Sequence, residues 1–171
     1  MPHRGTSGTQ IDNGGPNIPA LNPLTSEDIS AKNEAAIREL IGRFARSYRA
    51  RDIKGVMSVF APEIISFDIA PPLQEVGAAM FMKRWQDNFE SFQEPIAFEV
   101  HDLSITAGHD VAFSHSLNFV SVMMRNGQKA EHWLRWTACY RKTNDTWRIV
   151  HEQVSVPVDL RNGKAMLDLK P

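Results

Sequence analysis

A chain of 171 residues is one domain with room for a continuous core, and its formal net charge of −1 lacks the basic excess that phosphate binding needs. Its single cysteine, Cys139, excludes an intrachain disulfide and a cysteine-based metal cluster, and no run of about 18 apolar residues offers a membrane-spanning helix. With no secretory-type apolar segment at its start, the expectation is a cytoplasmic protein without nucleic acid or membrane as partner.

Residues 1 to about 25 are rich in Gly, Pro, Ser, Thr and Asn and read as a mobile tail, because too few apolar groups are present to offset the entropy of ordering. Thr25 or Ser26 can cap a first helix, with Glu27 and Asp28 favourable in its first turn and Ile37, Leu40, Ile41, Phe44 and Tyr48 as its apolar stripe. Asp52 caps a short second helix that Pro62 ends, and a short strand from Ile64 to Ile69 runs into Pro71-Pro72. A third helix from about Ala78 to Phe92 puts Phe81, Trp85, Phe89 and Phe92 on one side.

After Ile96 the period changes from helix to strand. Phe98–Ile105, Val111–Met124, Lys129–Lys142 and Thr146–Val158 read as four strands linked by Gly108-His109, the hairpin signal Asn126-Gly127, and Asn144-Asp145. Helices followed by an antiparallel meander define an α+β fold, with a domain over residues 26–160 and a C-terminal tail over 161–171. On the last strand His151, Gln153 and Ser155 share one face and Val150, Val154 and Val156 the other, which suggests that the polar triplet lines a cavity.

The run Arg51-Asp52-Ile53-Lys54-Gly55-Val56-Met57-Ser58-Val59-Phe60-Ala61 resembles the "GDxDGxxxLFA" second helix of the NTF2-like superfamily. Tyr140-Arg141-Lys142 with Trp147-Arg148-Ile149-Val150-His151 resembles its "YRKxDGxWxIVHxH" ending, and within the superfamily the chain is similar to SnoaL-like and ketosteroid-isomerase-like proteins. The resemblance covers about residues 28 to 158 and implies a cone: three N-terminal helices packed on a curved antiparallel sheet that encloses an apolar pocket. It also implies a homodimer through the outer face of the long strands, where Arg135, Thr137, Cys139 and Arg141 should lie.

Carried over without gaps, the ketosteroid isomerase general base falls on Asp68, its oxyanion-hole tyrosine on Phe44 and its protonated aspartic acid on Ala138. The base is retained and both donors are gone, so an enolate would lack stabilisation at those two positions. His115 and His151 are the expected acid or orienting partners of Asp68. Phe81, Trp85, Leu117, Phe119, Trp136 and Tyr140 are expected as cavity walls, with His132 and Leu134 nearer the mouth. Phe44 and Tyr48 from the first helix, and Gln153 and Ser155 from the last strand, complete the expected substrate contacts. Asp68, His115 and His151 are also a ligand set of the two-His-one-carboxylate type, but no local ligand spacing supports it, and neither metal nor cofactor is expected.

The fold hosts many reactions, so the resemblance implies a class rather than a substrate. It implies a cofactor-independent isomerase, cyclase or dehydratase acting on a small apolar carbonyl compound. The alternative is a ligand-binding or association module without catalysis.

Overall fold

The computed structural model describes residues 25–171, so the expected N-terminal tail lies outside the described residues apart from its last position. Helix α1 (Ser26–Arg49) starts at a capping box: Thr25 Oγ1 accepts from the Asp28 N–H at 3.1 Å, and the Asp28 carboxylate accepts from the Thr25 N–H at 2.9 Å. Glu27 and Asp28 at its start and Arg46 and Arg49 at its end suit the helix dipole. Its buried stripe includes Ile37, Leu40, Ile41, Phe44 and Tyr48, as the spacing predicts.

Helix α2 (Ile53–Met57) crosses close to α1, and Gly55 makes the approach possible because a Cβ there would meet Ser47 Oγ at 2.1 Å. Strand β1 (Phe60–Phe67) begins before Pro62, which therefore lies inside a strand and does not end a helix. A two-residue strand β2 (Glu75–Val76), absent from the sequence reading, pairs with β1. Helix α3 (Ala78–Ser91) then leads into β3 (Phe92–Ala107), β4 (Val111–Met124), β5 (Lys129–Thr143) and β6 (Thr146–Ser155). The sheet order is β2-β1-β6-β5-β4-β3, with β1 parallel to β6 and the other pairs antiparallel. Part of the expected C-terminal tail is ordered as the second strand of a small hairpin, β7 (Val158–Asp159) with β8 (Lys164–Ala165).

Helix α1 packs on β3 and α3 on β1, so the helices cover one face of the curved sheet. Phe44 is the hub of this layer, with ring centroids 5.4 Å from Trp136, 5.5 Å from Phe98 and 5.9 Å from Phe60.

Strand parity departs from the sequence reading on two strands. On β4 the inward side chains are Ala112, Ser114, Ser116, Asn118, Val120 and Val122, all buried, while Val111, Phe113 and His115 are exposed on the outer face. The reason lies on β5, whose inward side chains Trp136 and Tyr140 are large. Ser116 pairs with Trp136 and Ala112 with Tyr140, so small residues on β4 leave space for the rings, and Ser114 Oγ lies 2.8 Å from Tyr140 Oη.

On β6 the register shifts between Cys139 and Tyr140: Tyr140 pairs with Ile149, whereas Cys139 pairs with His151. Val150 is the extra residue of a β-bulge, and the bulge reverses the parity that follows. Trp147 and Ile149 point inward before it, Glu152 and Val154 after it. His151, Gln153 and Ser155 consequently lie on the outer face, opposite to the expected placement.

Candidate functional site

Between α1, α3 and the concave face of the sheet is a cavity of about 420 Å³. Phe44, Tyr48, Trp85, Phe98 and Trp136 give it aromatic walls, and Val120, Val122, Met124, Leu134 and Val154 give it aliphatic ones. Such a lining follows from the inward parity of β3 to β6 together with the apolar stripes of the two helices.

Its polar groups gather where β1 ends. Ile64, Ser66 and Asp68 share the inward face of that segment, as the sequence implies, and Asp68 borders the cavity with its side chain 22% exposed. Arg84, on the inward side of α3, sets Nη2 at 3.1 Å from Asp68 Oδ2 and Nη1 at 2.9 Å from Glu75 Oε2. One guanidinium thus joins both ends of the segment 68–75, whose Ile69 and Ala70 also border the cavity. The Asp68 carboxylate takes a second contact from the Ile69 N–H, which fixes its orientation.

Glu152, like Arg84 and Asn118, is a polar lining residue that the sequence reading missed. It is 3% exposed and borders the cavity, with Oε1 accepting from Ser66 Oγ at 2.9 Å and Oε2 from Trp136 Nε1 at 2.9 Å. Burial pushes its pKa up to about 7; the hydrogen bonds from Ser66 and Trp136 oppose that rise, the nearby Asp68 charge adds to it, and Arg84 offsets part of it. Burial also drives the Tyr48 phenol above its usual range, with the Asp68 carboxylate reinforcing the effect. His132, at the cavity edge, is lowered below the usual histidine value by burial. Asn118 accepts from Ser116 Oγ at 2.9 Å, which leaves its amide N–H groups as the side available to a ligand.

Of the residues singled out from sequence, Asp68, Phe44, Tyr48, Trp85, His132, Leu134 and Trp136 border this cavity. Phe81 and Tyr140 are buried in the surrounding core instead, Phe81 against Phe60 and Tyr140 against Ser114. Leu117 and Phe119 lie on the outer face, with Phe119 beside Trp133. His115 is exposed there, and so is Gln153, while Ser155 is half-buried on the same side. His151 hydrogen-bonds through Nδ1 to the Ile65 carbonyl at 2.9 Å and packs beside Phe67. The sheet separates both histidines from Asp68, so neither the expected acid–base trio nor a two-His-one-carboxylate set converges. A signal for Glu152 was present in the sequence: apolar Ile149 and Val154 have opposite parity, and a strand burying both must insert one residue.

An α+β cone around a mostly apolar cavity with a few convergent polar groups describes a class of small-molecule sites. The SnoaL-like domain family matches residues 37–159, and the chain belongs to that family within the NTF2-like superfamily. An NTF2-like protein of unknown function from Pseudomonas putida KT2440 is similar at 33% identity and a TM-score of 0.76, over 83% of this chain and 99% of that one. A putative scytalone dehydratase from Novosphingobium aromaticivorans has 11% identity and a TM-score of 0.69, over 75% of this chain and 87% of its own. A ketosteroid isomerase-like protein from Erwinia carotovora atroseptica has 17% identity and a TM-score of 0.62, over 71% and 93%. At such identities the last two bear on the fold alone. Comparison with curated proteins gives no match.

Proposed function

We propose that this protein is a cofactor-independent acid–base enzyme of ketosteroid-isomerase or SnoaL-like type, acting on a small, largely apolar carbonyl compound. One observation carries the reading: Asp68 is a carboxylate at the edge of a mostly apolar cavity, held in place by Arg84 and the Ile69 N–H. A positioned carboxylate in a water-poor site can take a proton from carbon beside a carbonyl, the first step shared by isomerisation, cyclisation and dehydration. His115 and His151 cannot serve as its acid partners from the outer face, so the acid has to come from the cavity lining.

Turnover of a panel of enones and polyketide-like ketones tests the reading. Asp68→Asn should abolish turnover while apolar ligand binding stays nearly intact, because the substitution keeps the shape and removes the base. Wild-type turnover in that variant would sink it.

The second reading is a non-catalytic ligand-binding or association module. It draws support from Phe44 and Ala138, which supply no donor where the ketosteroid isomerases have two. In either reading the protein acts as a homodimer through its outer face, where Ile65, Phe67, Val111 and Phe113 are each more than a third exposed.

A further inference from the structure

On the outer face, across the sheet from the cavity, β1 and β6 separate. Between the pairs Phe60–Ile149 and Ile65–His151, β1 runs through Ala61, Pro62, Glu63 and Ile64 where β6 has Val150 alone. The longer strand has to arch, and Pro62, which has no N–H to give a ladder, stands in the arch. Ala61, Pro62 and Glu63 form one wall of a groove of about 310 Å³, and Thr143, Asn144 and Thr146 at the β5–β6 turn form another. Two arginines line it, and they stand directly opposite each other, Arg141 on β5 and Arg148 on β6. Like charges in that position repel, and neither is firmly paired. Arg148 Nη1 donates to the Ser58 carbonyl at 2.9 Å and the Phe60 carbonyl at 3.5 Å, which fixes the guanidinium without neutralising it. Arg141 reaches Glu63 only at 4.0 Å, with side chains 59% and 62% exposed, so that pair is worth little. Asp145 on the turn is paired with Lys142 at 3.4 Å instead.

We propose that this groove is a second binding site, which takes a phosphate-type oxyanion with two negative charges, as in inorganic phosphate or a phosphate monoester. Arg148, preset by the two carbonyls, and Arg141 hold neighbouring oxygens, because the planar fork of a guanidinium matches such an anion. Thr143 and Thr146 pair across the ladder and add two hydroxyls, of which Thr146 Oγ1 is tied only by a long 3.4 Å contact to the Asn144 carbonyl. Two guanidinium charges against the single carboxylate of Glu63 leave the lining positive, and a dianion gains more from that field than a monoanion does. A chain with a net charge of −1 has no broad basic excess for nucleic acid, but one phosphate group needs only this local one. The groove sits at the turn end of β5 and β6, past Val111 where β4 begins, and so at the rim of the apolar outer patch. It is independent of the chemistry of the cavity, because the sheet lies between them.

Calorimetry on the full chain at low ionic strength, with inorganic phosphate, glycerol phosphate and acetate as probes, tests this. At about pH 8 both phosphates are dianions, and at least one should bind saturably and at least about tenfold more tightly than acetate. Arg141→Gln should weaken that binding at least about tenfold, and the exposure of Arg141 means that the substitution spares the core. Glu63→Gln should tighten it by removing the competing carboxylate. Arg46→Gln, which removes the same charge from an exposed arginine on α1, should leave it within about twofold. Tighter binding of glycerol phosphate than of phosphate supports the site in its ester form, and the reverse order supports it for the free ion. Acetate binding as tightly as phosphate, or saturation by neither phosphate, would overturn the proposal. Equal losses in Arg141→Gln and Arg46→Gln would do the same, since they would mark diffuse attraction by net charge.

Discussion

Ser66 and Glu152 stand opposite each other on the parallel strands β1 and β6, and the Ser66 hydroxyl donates to Glu152 Oε1 at 2.9 Å across that pair. With Trp136 on the other oxygen, two donors hold a carboxyl group that the surrounding core would otherwise leave as a costly buried polar group.

That burial makes stability depend on pH. The folded-state pKa of Glu152 is raised from 4.5 to about 7, so between these values the folded protein binds more protons than the unfolded chain. The contribution is full below about 4.5 and is lost as the pH rises through about 7, amounting to about 3 kcal/mol. Denaturant unfolding from mildly acidic to mildly alkaline buffer should show stability falling over this window in the wild type. Glu152→Gln should flatten that part of the profile.

Removing Arg84 should cost more than removing a surface cation. Its side chain is 14% exposed and its partners Asp68 and Glu75 are 22% and 8% exposed, so Arg84→Ala leaves two facing carboxylates in a low-dielectric site. The expected loss is about 3 kcal/mol, read as a lower denaturant midpoint, with Arg84→Lys recovering part of it.

The outer-face residues should be quiet in catalysis. His115→Ala and Gln153→Ala are expected to leave turnover and ligand affinity within about twofold and stability within about 0.5 kcal/mol. His151→Ala should cost about 1 kcal/mol of stability by losing the link to the Ile65 carbonyl, again with turnover kept. A large drop in turnover for either histidine variant would return a histidine to the mechanism.

Association should respond to the outer face. Phe113 is 48% exposed beside Val111 at 58%, and a charge placed there would be desolvated in any interface that covers it. Light scattering at micromolar concentration should give a dimer for the wild type and a monomer for Phe113→Glu. A monomeric wild type would dismiss the interface.

Local patterns in the chain specified much of the architecture. The helix start at Thr25 or Ser26, the stripe from Ile37 to Tyr48 and the bounds of β4 each depend on neighbours within a few residues; the stripe and the bounds appear as read, and of the two candidate caps the structure uses Thr25. Asp68 was legible through strand parity, with Ile64 and Ser66 on its own side.

The rest of the site depends on contacts between segments far apart in sequence. Which face of β4 turns inward is decided by Trp136 and Tyr140 on β5, whose bulk requires Ser114, Ser116 and Ala112 opposite or beside them. Hydrophobicity along β4 alone points the other way, because its larger apolar residues lie on the outer face. On β6 a single inserted residue, Val150, reverses the parity beyond it and exchanges His151 and Gln153 for Glu152. The sequence by itself determined the family, the order of elements and one carboxylate of the cavity. Only the tertiary structure, by setting strand register through side-chain volume and a bulge, decided which residues stand beside it.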